Sequence, residues 1–123
     1  MHRHLVVPLL GLALPICSGC AARSEAADSP QSAIAQGRAY IGSFGCGACH
    51  EVPGIKNADG VIGPPLTRFA LRAYIAGEVP NTPANLVQWL ENPQSIEPKT
   101  AMPNLQISEP VAKAMAAYLG TLR

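Results

Sequence analysis

Three stretches of the chain carry apolar residues at helical spacing. Ala33, Gly37, Tyr40, Ile41 and Phe44 recur at i, i+4, i+7, i+8 and i+11, which gathers them on one helical face. Ser29 and Pro30 supply a cap and a first-turn proline at its start. Near the C-terminus, Val111, Ala114, Met115, Tyr118, Leu119 and Leu122 repeat the pattern. There Ser108 stands at the cap, and Glu109 suits the positive end of the helix dipole. Between these two, a helix starts at Thr82-Pro83 and runs to about Glu91. Asn92-Pro93 stops it, because the residue before a proline avoids the helical region. No stretch alternates apolar and polar residues convincingly enough to predict a sheet. The expectation is an all-α domain of three to five short helices joined by loops.

A different apolar pattern opens the chain. A cationic start (His2, Arg3, His4) precedes an unbroken apolar run of 12 residues from Leu5 to Ile16. That length fits the core of an export signal and falls short of the ~20 residues of a spanning helix. Pro8 and Pro15 weaken a membrane span further. The run ends in Cys17-Ser18-Gly19-Cys20, which resembles a bacterial lipoprotein signal: small residues precede a cysteine that is lipidated and becomes the mature N-terminus. Cys17 departs from the leucine-like residue usual at its position. The resemblance implies a signal peptide over residues 1–19, lipidation at Cys20 and attachment to the periplasmic side of a bacterial membrane. Ordinary cleavage near Ser24-Glu25-Ala26, giving a soluble periplasmic protein, is the alternative. Residues 20–31 are mostly small and polar and read as a flexible tether. The folded domain is expected over residues 32–123.

Composition narrows the function. Nine Lys+Arg against eight Asp+Glu leave no cationic stripe of the kind nucleic-acid binding needs. Charged residues are 14% of the chain, against about 25% on average. Twelve prolines in 123 residues stiffen long loops. Four cysteines in a short chain invite a two-disulfide reading. That reading fails on their placement: Cys17 leaves with the leader, Cys20 is claimed by the lipid, and Cys46 and Cys49 belong to a motif.

The motif is Cys46-Gly47-Ala48-Cys49-His50, the C-x-x-C-H pattern of covalent haem attachment. Two thiols three positions apart on one tight turn reach the two vinyl groups of a single haem, and the next residue places an imidazole under the iron. A thioredoxin-like redox pair would need a βαβ setting that is missing from the pattern. A zinc site would need a second ligand pair, and Cys17/Cys20 lies in or at the edge of the leader. The sixth iron ligand follows by elimination. Once His2 and His4 leave with the leader, His50 is the single histidine, and the remaining methionines are Met102 and Met115. Met102 lies in a proline-bounded stretch without helical period, a loop able to curl over a flat cofactor. Met115 falls on the apolar stripe of the last helix, where methionine is ordinarily core filler. Met102 is therefore the expected ligand and Met115 the alternative. A neutral thioether raises the reduction potential, and two filled axial positions favour electron transfer over catalysis.

These residues together resemble a class I cytochrome c. From Gly63 to Leu105 the likeness narrows to the cytochrome module fused to subunit II of caa-type haem–copper oxidases. The resemblance covers about residues 34–122 and implies a cytochrome c-like fold wrapped around one covalent haem c. In that family the first and last helices cross near right angles, so Gly37 would let the backbones meet with Tyr118 packed beside them. Pro64 matches the proline whose carbonyl accepts the Nδ1–H of the haem histidine, and Leu66 the residue packed on the same haem face. Arg72 and Trp89 match positions near the haem propionates. Pro65 departs from the acidic or polar residue common in the family.

The implied function is a one-electron carrier between a quinol-oxidising complex or dehydrogenase and a terminal oxidase or reductase. A monomer anchored to the membrane through its N-terminal lipid is expected. A fixed electron-transfer subunit of a larger complex is the alternative, and a haem enzyme or gas sensor would require a labile Met102.

Overall fold

The computed structural model describes residues 29–123. The expected leader over residues 1–19, the lipidation site Cys20 and the tether up to residue 28 lie outside the described residues. Three helices dominate the rest: α1 (Pro30–Ser43), α2 (Pro83–Glu91) and α3 (Glu109–Leu119). Single 3-10 turns stand at Cys46–Ala48, Phe69–Leu71 and Pro93–Ser95. The molecule is mainly helical with long loops, as the apolar spacing predicts. Pro30 and Gln31, placed in the tether by composition, are the first turn of α1.

The helix ends show why these segments are helical. At α1, the Ser29 hydroxyl accepts the Ser32 N–H at 3.1 Å and Pro30 fills the first position, where a missing N–H costs nothing. At α2, Thr82 Oγ1 accepts the Asn85 N–H at 3.2 Å, and the helix ends at Asn92-Pro93 as expected. α3 differs: Ser108 occupies the cap position, but its side chain makes no capping bond. Its first turn rests instead on a proline, Pro110, and on Glu109, whose carboxylate meets Lys113 Nζ one turn later at 2.6 Å.

One small sheet was not legible in the pattern. β1 (Tyr74–Ile75) and β2 (Val79–Pro80) pair antiparallel, Tyr74 opposite Pro80 and Ile75 opposite Val79. Strands of two residues are too short to alternate. The hairpin is made by its turn, in which Ala76 and Gly77 have φ of 54° and 80° and the Glu78 N–H donates to the Ile75 carbonyl at 3.0 Å.

α1 and α3 pack backbone to backbone. Gly37 is buried, and a methyl group there would overlap the Ala114 carbonyl oxygen. The predicted stripe of α3 is buried apart from half-exposed Val111, but Ala112 and Ala116 off the stripe are buried too. α3 meets both α1 and α2, so more than one of its faces is covered. The same pair of helices fixes the loop after the cysteine motif. The Tyr118 hydroxyl donates to the Pro53 carbonyl at 2.5 Å, and Arg38 Nε on α1 donates to the neighbouring Gly54 carbonyl at 2.7 Å. The framework helices thus hold the segment that carries the chemistry.

Candidate functional site

Residues 46–50 form a tight coil directly after α1. The Ala48 N–H bonds the Gly45 carbonyl at 3.0 Å, and the Cys49 and His50 N–H groups both reach the Cys46 carbonyl, at 3.2 and 3.0 Å. This winding sets both cysteines on one turn with His50 at its exit. Both are half-buried free thiols. Burial pushes the Cys46 thiol up from its ordinary pKa, and the neighbouring Cys49 adds to the shift, against the lowering by a backbone hydrogen bond. Cys46 is therefore a neutral thiol at pH 7.

His50 is oriented by its partner. Its Nδ1 lies 2.8 Å from the Pro64 carbonyl oxygen. A carbonyl only accepts, so Nδ1 carries the proton and the Nε2 lone pair stays free for a metal. The Pro64 strap is drawn in by Gly63 N–H to Cys49 O at 2.7 Å and Leu66 N–H to Glu51 O at 2.8 Å. Only glycine fits at residue 63, because a Cβ there would sit 2.6 Å from His50 Nδ1.

The other expected residues are placed by the core and by the strap after Pro64. Cys46, Leu66, Trp89 and Met102 are all partly buried against the same apolar core. Arg72 is half-buried; its guanidinium donates to the Pro65 carbonyl and lies 5.7 Å from the centroid of the Phe69 ring. A guanidinium has five N–H donors, so this contact leaves capacity for a carboxylate. Met102 lies in a non-helical loop, as expected, whereas Met115 is fully buried on α3. Cys20 is outside the described residues.

Two side chains that sequence reasoning passed over support the site. Asn81 Nδ2 donates to the Phe69 carbonyl at 3.0 Å and the Arg72 carbonyl at 3.1 Å, fastening the strap that follows Pro64. Gln94 Nε2 donates to the Met102 carbonyl at 2.8 Å. Asn81 lies in a loop and Gln94 on a single 3-10 turn, where neither periodicity nor motif marks a partner nine to twelve residues away, or eight.

Beside the coil, Gly60 N–H donates to the Gly47 carbonyl at 3.1 Å and Gly63 N–H to Cys49. The residues between them, Val61 and Ile62, stand 90% and 78% exposed. The site therefore borders an apolar surface. Among the described residues, no three His, Cys, Asp or Glu side chains cluster to hold a separate metal ion. Two thiols on one turn, an imidazole with Nε2 free and a half-buried thioether are a donor set that fits a covalently attached haem. No helix among the described residues is long and apolar enough to cross a membrane.

Residues 34–123 match the family described as cytochrome c. Cytochrome c oxidase subunit 2 of Alkalihalophilus pseudofirmus is 35% identical over 102 residues, covering 81% of this chain and 29% of its own length. The chain thus spans less than a third of that relative.

Proposed function

Because the chain belongs to the cytochrome c family, whose chemistry is haem-based electron transfer, we propose that it is a monohaem one-electron carrier with His50 and Met102 as axial ligands. The observation that carries this reading is the His50 Nδ1 to Pro64 carbonyl contact of 2.8 Å, which leaves one imidazole nitrogen for iron. When bound, haem supplies an iron that alternates between ferrous and ferric states. Cys46 and Cys49 hold the ring through thioethers, and Pro64 fixes the tautomer and orientation of His50. Met102 contributes a neutral thioether, which favours the ferrous state and raises the potential. Leu66 packs against the ring, and Arg72 and Trp89 attend the propionates.

Electrons enter and leave at the edge near Cys46, Cys49 and the Met102 loop. The exposed Val61 and Ile62 support an apolar contact there. The whole sequence holds only three lysines, Lys56, Lys99 and Lys113, so no strong cationic ring surrounds that edge. Donors are a quinol-oxidising complex or dehydrogenase, and acceptors a terminal oxidase or reductase. Residues 1–19 serve as the signal, Cys20 as the lipid site, and the folded residues 29–123 as the electron-carrying domain on the periplasmic side.

Met102→Ala tests the ligand set. The haem-loaded variant should bind carbon monoxide in the ferrous state and show a lower potential. A variant with parental potential and no carbon monoxide binding refutes Met102 ligation. Oxidation by a haem–copper oxidase should change less than tenfold between low and physiological salt, because few charges meet at the contact.

A fixed subunit of a larger oxidase complex is the second reading, favoured by the name of the relative, cytochrome c oxidase subunit 2. Stable co-purification with oxidase subunits would select it over the free carrier.

A further inference from the structure

The loop that carries Met102 has no repeating backbone ladder to hold it. The polar groups of Met102 are met by side chains instead: its N–H donates to Thr100 Oγ1 at 3.2 Å, and its carbonyl accepts from Gln94 Nε2 at 2.8 Å. The two contacts differ in kind. Thr100 belongs to the same loop and moves with it. Gln94 stands on the Pro93–Ser95 turn, outside the loop. Pro93 is among the most completely buried side chains, and the turn is closed by Ser95 N–H to Asn92 O at 3.1 Å and Glu97 N–H to Pro93 O at 3.0 Å. That turn continues directly from α2. Gln94 is therefore a mooring from a rigid base to the backbone of the residue that must present the sulfur.

We propose that Gln94 is a positioning residue for the axial methionine: its amide sets how firmly the Met102 thioether is offered to iron. This rests on the reading of Met102 as axial ligand. A thioether is a weak, neutral ligand, so the balance between seated and displaced Met102 depends on what else holds the loop. Removing a neutral hydrogen bond and leaving the Met102 carbonyl unpaired shifts such a balance by roughly three- to tenfold. An isosteric glutamate removes the donor and keeps the shape, because a carboxylate only accepts.

Imidazole titration of the ferric, haem-loaded full chain, followed by absorbance, reads this directly, since imidazole must displace the sixth ligand. Gln94→Glu and Gln94→Ala should bind imidazole about three- to tenfold more tightly than the parent. Met102→Ala should bind it more tightly still. Ser29→Ala removes the cap of α1, away from the loop. It should lower the melting temperature and leave imidazole affinity unchanged. If both Gln94 variants titrate like the parent while Met102→Ala binds more tightly, Gln94 plays no positioning role although Met102 is the ligand. If Ser29→Ala tightens imidazole binding as much as Gln94→Glu does, the effect is general loosening and the proposal falls. If Met102→Ala itself titrates like the parent, the ligand assignment fails and the role of Gln94 falls with it.

Discussion

Residue by residue, the site depends on contacts that tolerate little change. Gly37 is the sharpest case. The Ala114 carbonyl oxygen occupies the space a Cβ would need, and the obstructing atom is backbone, not a flexible side-chain end. Gly37→Ala must therefore force α1 and α3 apart. Overpacking of this kind costs about 1–3 kcal/mol, occasionally more, so the haem-loaded variant should unfold at clearly lower denaturant concentration with an unchanged slope. A midpoint equal to the parent's would show that the helices can slide apart freely. The glycine is visible in the chain as a member of an apolar stripe. Its need to be glycine was legible only through the family resemblance, because that need comes from a residue 77 positions later. Gln94 and Asn81 were illegible for the same reason. Each is an ordinary side-chain amide until the fold brings a carbonyl to it.

At the level of single helices, local chemistry was easier to read, with one exception. Ser29, Thr82 and Ser108 all stand where a cap belongs, but only Ser29 and Thr82 accept an N–H from the first turn. Ser29→Ala should cost about 1 kcal/mol and Ser108→Ala close to nothing. Chemical denaturation of the two variants side by side checks the difference. α3 relies instead on Glu109. Lys113 holds the Glu109 carboxyl below its ordinary pKa, chiefly through their hydrogen bond, and Glu109 raises that of Lys113 for the same reason. A depressed carboxyl contributes stability above its unfolded pKa and loses it as pH falls through the folded value. A raised amine contributes below its unfolded pKa and loses it as pH rises through the folded value. Glu109→Gln should therefore melt slightly below the parent at pH 7. The gap should close on acidification below about pH 4. Above about pH 11 it should narrow but not vanish, because the helix dipole still favours a carboxylate at residue 109. The effect is small, since both groups are exposed and a surface pair is well screened.

At the largest scale, three short helices leave much of the described chain in loops, and several side chains expected to meet haem pack against the buried core. Leu66, Trp89, Met102 and Cys46 all pack against it. A domain of about 100 residues buries only about 60–70% of its unfolded surface, which leaves little margin. Haem is therefore expected to complete the core. Cys46→Ala/Cys49→Ala protein, made without attached haem, should be largely unfolded, with far-ultraviolet circular dichroism well below that of the holoprotein. A cooperative thermal transition at native helix content would contradict this.

The sequence alone determined the helices and the tight cysteine turn, and it placed Met102 in a loop and Met115 on a helix stripe. These rest on relations between near neighbours: stripe spacing, a cap three residues from its donor, two thiols and an imidazole within five positions. Pro64 was legible as well, but only through resemblance to a family, since nothing local ties it to a histidine 14 residues earlier. Tertiary structure alone decided which potential caps are used, that a two-residue hairpin forms at Ala76-Gly77, and that Gln94, Asn81 and Tyr118 fasten the loops around the site. Each of those depends on a donor meeting an acceptor, or a turn closing, in three dimensions. Periodicity reports which face of an element is apolar; it carries no record of which distant carbonyl an amide or hydroxyl will find.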